Sequence, residues 1–143
     1  MRAFDADLVT YRMEEAGTTL LAIPPHYRWS TRPHTASAVL AAALEAYGWT
    51  EPPTRPAVPT QHYLDRMDEA FGWLDLIPTQ NYLLRRVVGA RSLVHPITDR
   101  HLFSWRRLAD ALGSEHRAVQ RWHTNGIGMI VAALNVTADQ NAA

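Results

Sequence analysis

Arg106, Arg107, His116, Arg117, Gln120 and Arg121 crowd into one stretch, SWRRLADALGSEHRAVQRWHTNG, at residues 104–126. A guanidinium is a planar fork of donors that pairs bidentately with guanine O6 and N7, and a glutamine amide pairs in the same way with adenine. Each such pair discriminates against the wrong base by roughly 1–3 kcal/mol. Arginine, serine and threonine also bind phosphate oxygens, contacts that position a protein on a duplex without reading it. If a helix follows Gly113, then His116, Arg117, Gln120, Arg121 and Thr124 share its outward side with Glu115. The expected chemistry is base reading by His116, Arg117, Gln120 and Arg121, with phosphate contacts from Arg106, Arg107, Ser114 and Thr124.

Two helices must hold these residues. Ser104 is a good N-cap, and Trp105, Leu108 and Leu112 form the apolar stripe of a first short helix. Ala109 is small, as a close helix–helix approach requires. Gly113 stands at the turn, where a positive φ is tolerated by glycine without cost. Ser114 can cap the second helix, which turns Val119 and Trp122 inward. Helix, short glycine turn, helix is the outline of the helix-turn-helix, whose second helix enters the major groove and meets base edges with its N-terminal residues. Leu-Ala-x-x-Leu-Gly followed by Val also arises where two core helices simply meet, so that alternative stands beside it. Ser114 and Glu115 depart from the usual motif, which has a small apolar residue and then Ser or Thr. Glu115 costs affinity near phosphates unless it pairs with Arg or accepts from a cytosine amino group.

The rest of the chain reads as carrier for this unit. A first helix is expected from Asp5 or Asp7 to Leu21, stopped by Pro24-Pro25, and a second from a Thr35 cap to Gly48. TEPPTRPAVPT (50–60) holds four prolines in eleven residues and reads as an extended, semi-rigid link. Thr60 opens a third helix with Tyr63, Leu64, Met67, Ala70, Phe71, Leu74 and Ile77 at helical spacing, ending at Pro78. Thr79 caps a fourth that runs to Gly89 with Tyr82, Leu83, Val87 and Val88 inward, and a looser stretch precedes Ser104. No strand alternation is convincing, and the expected fold is all-α, a helical bundle with a C-terminal helix-turn-helix. The expected organisation is an N-terminal helical region (1–50) for oligomerisation or partner binding, a link (51–59), a helical domain (60–135) containing the helix-turn-helix (104–124), and a flexible tail (136–143).

The formal net charge is zero, but it is unevenly spread. Residues 1–81 carry six Arg against ten acids, and residues 82–143 carry eight Arg against four. A phosphate backbone responds to local potential, so the second half is the one suited to nucleic acid. Every basic residue is Arg, which fits a GC-rich genome. There is no cysteine, so disulfides and Cys-based metal or redox chemistry are excluded. No signal peptide or membrane span is evident, and a soluble cytoplasmic protein without membrane contact is expected.

Other constellations are weaker. Asp65, Asp68 and Glu69 share a helix face that could hold a cation, but the interleaved Arg66 marks a solvated surface. His116 and His123 lie two turns apart, too far for shared ligation, and Gly126-Ile127-Gly128 lacks the preceding strand of a phosphate loop. No metal site, cofactor, nucleophile motif or enzymatic activity is expected. Trp29, Trp49 and Trp73 are expected in the core or at subdomain contacts.

A resemblance enters with WRRLADALGSEHRAVQRWHTNGIGMI, EAYGW and YLDRMDEAFGWL, three separated motifs in order. Together they resemble an uncharacterised family of α-proteobacterial and phage helix-turn-helix proteins, over Val9 to Asn135. That resemblance implies a C-terminal helix-turn-helix in a mobile-element or prophage setting, and no established activity. More loosely, residues 74–134 resemble in architecture the C-terminal domain of sigma factors and the late-gene regulators that reuse it. The expected function is a DNA-binding transcription regulator of phage or prophage type. Its partners would be double-stranded DNA, further copies of itself, and RNA polymerase or packaging machinery. Two alternatives stay open: a small terminase subunit that packages phage DNA as a ring, and a protein-interaction module whose helix-turn-helix no longer binds DNA.

Overall fold

The computed structural model describes residues 4–24, 39, 41–43, 45 and 57–142. The expected helix from Thr35 to Gly48 falls mostly outside them; the described residues 39, 41–43 and 45 are helical. Trp29, Trp49 and most of the proline-rich link also lie outside.

Helix α1 (Ala6–Ala22) starts where the Asp5 side chain accepts from the Leu8 amide at 2.8 Å. It ends at Ile23, which is extended ahead of Pro24, as the residue before a proline prefers. Val9, Met13, Ala16 and Leu20 recur at helical spacing and are all buried. Gly17 faces the Ser92 carbonyl so closely that a Cβ would overlap it.

Helix α2 (Gln61–Gly72) lies along α1 and buries Met67, Ala70 and Phe71. Two arginines cross between the pair: Arg12 Nη2 donates to Glu69 at 2.8 Å, and Arg66 Nε to Glu15 at 2.6 Å. The segment from Thr60 to Pro78, read as one helix, changes to a 3₁₀ turn over Trp73–Leu76. Trp73, Leu74 and Ile77 are buried all the same.

After Pro78 a second 3₁₀ turn (Thr79–Asn81) leads into α3 (Tyr82–Ser92). Val87 and Val88 are buried as expected, whereas Tyr82 and Leu83 are 58% and 36% exposed and not turned inward. The 3₁₀ entry delays the α-helical start, so Leu84 is the first residue of α3 to pack against the core. A tight reversal follows, with a single antiparallel bridge between Val94 and His101. Asp99 takes φ 58° there, and His95 Nδ1 accepts from the Ile97 and Thr98 amides.

Helices α4 (Trp105–Leu112) and α5 (His116–Ala142) complete an all-α arrangement, with no strand among the described residues. α5 packs on α1, α3 and α4. Phe71, Met13, Val87, Leu108 and Ile130 come from α2, α1, α3, α4 and α5 and are fully buried in one core. Each such aliphatic or aromatic side chain contributes about 1.5–3 kcal/mol. No described helix is long and apolar enough to cross a membrane.

A candidate nucleic-acid interface on the last two helices

The Ser104 hydroxyl accepts from the Arg107 amide at 3.1 Å and starts α4 as the sequence indicates. Leu108 and Ala109 are buried, which seats α4 against α5. Gly113 ends α4 in the left-handed region, φ 64° and ψ 37°. Its amide donates to the Asp110 carbonyl, and the Ser114 amide to Ala109 at 2.9 Å. This pair of bonds is the Schellman ending, which needs a residue that bears positive φ.

The chain then re-enters helix at once. The Glu115 carbonyl accepts from the Ala118 and Val119 amides, so the cap position of α5 is Glu115, one residue beyond Ser114. A carboxylate there is favoured by the positive end of the helix dipole, which gives the departure from the usual motif at Glu115 a physical reason.

Val119, Ile127 and Ile130 bury one side of α5, with Gly126 between them. The opposite side of the first half is open: Arg117, Gln120, Arg121, Thr124 and Asn125 line a shallow groove. A second depression adjoins it between α4 and the start of α5, lined by Arg106, Asp110, Ser114, Glu115, His116 and Arg117. The fold thus gathers seven of the eight expected residues around two hollows that share Arg117. Arg107 stands apart from both, exposed, with its guanidinium 5.3 Å from the Phe103 ring centroid. Asn125 and Asp110 were not singled out from the sequence. Asn125 lies one turn beyond Arg121 on the same face, so helical spacing alone could have found it.

A polar cluster around Trp105 and His123 draws its members from α1, α3, the reversal, α4 and α5. His123 of α5 meets the Trp105 ring edge-on at 5.3 Å, and Arg91 of α3 stacks over the same ring at 4.0 Å while donating to the Phe103 carbonyl. His101 donates from Nδ1 to the Arg91 carbonyl and places Nε2 3.3 Å from Glu14 of α1. Burial, with Arg91 adding repulsion, pulls the His123 imidazole down to about 4, so it is neutral near pH 7. The hydrogen bond from His101 holds Glu14 below its ordinary value, and burial lowers Arg91. The cluster ties α4 and α5 to α3, to the reversal and to α1.

Among the described residues no group of three His, Asp or Glu side chains is placed to hold a metal ion. No protein-family model matches this chain, and no curated protein or solved structure is significantly similar to it.

Proposed function

We propose that the chain is a DNA-binding protein, a transcription regulator that reads duplex DNA through α4 and α5 acting as a helix-turn-helix. The observation that carries this reading is the open face of α5, where Arg117, Gln120, Arg121, Thr124 and Asn125 line one groove. These are the donor types that read guanine and adenine edges or bind phosphate. Arg106 and Ser114 border the adjoining hollow, where the duplex backbone would run. The phage or prophage setting rests on the sequence resemblance alone. One such unit buries little surface, so two copies reading half-sites about one helical turn apart are part of the proposal.

Asp110 and Glu115 in the hollow with Arg106, His116 and Arg117 favour one second reading, a protein-interaction module without DNA affinity. The two readings separate in one experiment. Fragmented bacterial genomic DNA is passed over the immobilised protein at two salt concentrations and the retained fragments are sequenced. A DNA reader enriches discrete sites and loses affinity steeply as salt rises, because phosphate contacts release counterions. Arg117→Ala and Gln120→Ala should relax sequence preference, each by about 1–3 kcal/mol at one base position. Arg106→Ala should weaken binding to all sequences alike. No enrichment at either salt leaves the interaction module, and equal losses on specific and random DNA for all three variants overturn the base-reading face.

A further inference from the structure

An apolar pocket of about 160 Å3 opens between Val39, Ala42 and Ala43 on one side and α3 on the other. Val39, Ala43, Leu74, Gly89 and Ala90 form its apolar walls. A dry cavity of comparable volume accommodates a guest the size of one benzene ring. The rim is polar and has two arginines with different engagements. Arg85 is fully occupied: Nε donates to the Ile77 carbonyl at 2.6 Å and Nη2 to that of Asp75, with the Asp75 carboxylate 3.8 Å from Nη1. Arg86 makes no hydrogen bond or ion pair to a described residue; its guanidinium lies 5.9 Å from the centroid of the exposed Tyr82 ring. With Asp75 answered by Arg85, Arg86 is the cation at the mouth without an acidic partner among the described residues, and it lies beside an aromatic face.

We propose that this pocket is a binding site for a small aromatic or branched-aliphatic carboxylate. The apolar part enters beneath Tyr82 against Gly89 and Ala90, and the carboxylate meets Arg86 at the rim. A guanidinium forms charge-assisted, bidentate bonds to a carboxylate, and the apolar walls exclude ligands that are polar throughout. Gly89 is what keeps the pocket open, since a Cβ there would sit 3.5 Å from Val39 Cγ1 and 3.8 Å from Leu74 Cδ1, in the space a ligand takes. The site is also coupled to α5. Val88, the preceding residue, packs so closely on Gly126 that a Cβ on that glycine would lie 2.6 Å from Val88 Cγ2. A ligand wedged against α3 is therefore felt at Gly126, close to the groove lined by Thr124 and Asn125. The site stands independently of the DNA reading, and its test uses no DNA.

The full chain, labelled for amide proton–nitrogen spectra, is titrated with phenylacetate and separately with the neutral phenylacetamide, each to about 10 mM. Saturable shifts are expected at residues 39, 42 and 43 and at 82–90, relayed to 126 and 127, with phenylacetate the tighter ligand. Gly89→Ala meets only ordinary contact distances and should stay folded, with a melting temperature no lower than the parent's, yet bind phenylacetate about tenfold more weakly. Arg86→Gln should reduce phenylacetate to the affinity of phenylacetamide. No saturable shift with either compound overturns the site, as does binding that a folded Gly89→Ala leaves unchanged. Equal affinity for the two compounds in the parent overturns the carboxylate assignment.

Discussion

His123 shows how one residue can tie the candidate interface to the body of the protein. It sits on α5 one residue before Thr124, with its ring against Trp105 and the cation of Arg91 nearby. Folding lowers its imidazole from the ordinary 6.5 to about 4, so between those values the unfolded chain takes up a proton that the folded chain refuses. The stabilisation from a neutral His123 is complete above pH 6.5 and is lost as pH falls towards 4, on the order of 3 kcal/mol in all. Glu14 acts in a lower window, since its depressed carboxyl loses its contribution only as pH falls below its ordinary 4.5. Urea unfolding at successive pH values should show stability declining from pH 6.5 downwards. His123→Gln should flatten the decline between 6.5 and 4 and leave the lower limb intact.

At the scale of the element, α5 is the informative case. It is one helix of 27 residues, His116–Ala142, and it runs on well past Thr124, where the expected helix-turn-helix ends. Two glycines, each costing about 1 kcal/mol relative to alanine in a helix interior, are carried through without a break. They differ in surroundings: Gly126 is pressed against Val88, and Gly128 has nothing within 4 Å of where a Cβ would be. Gly128→Ala should therefore raise stability by about 0.5–1 kcal/mol through helix propensity alone. Gly126→Val should lower it by about 1–3 kcal/mol, because α3 must move away to make room. Thermal unfolding of the two variants checks both signs. Equal stabilisation by both would mean that α3 does not rest on α5 at Gly126.

The whole molecule joins an acidic first half to an arginine-rich second half through shared packing. Val9, Met13 and Leu20 of α1 lie in the same core as Met67 and Phe71 of α2 and Ile130 of α5. The Asn135 amide closes the circuit, accepting from the Phe4 amide and donating to the Phe4 carbonyl, while the Phe4 ring meets Trp73 edge-on. A fragment beginning at residue 57 would expose the buried side of α2 and leave Glu69 and Glu15's partner Arg66 unanswered. That fragment should show no cooperative unfolding transition by circular dichroism, whereas the full chain should unfold in a single step. A sharp transition in the fragment would mean that α1 is dispensable to the core.

What was legible from the residues alone is what neighbours along the chain decide. Asp5 and Ser104 cap helices because their oxygens reach amides three residues on, and Gly113 takes positive φ because no side chain competes there. The apolar spacing of Met67, Phe71, Leu108 and Val119 marks buried faces for the same local reason. The outward set Arg117, Gln120, Arg121 and Thr124 follows from helical geometry once Val119 is inward. Packing between distant segments decided the rest. Tyr82 and Leu83 are outside because a 3₁₀ turn precedes α3, and Gly126 stands inside α5 because Val88 fills the space where a side chain would be. His123, Arg91, His101 and Glu14 form a cluster only because five segments converge on Trp105 and its neighbours. Sequence spacing sets which face a residue occupies on its own helix, and the tertiary structure alone sets what that face meets.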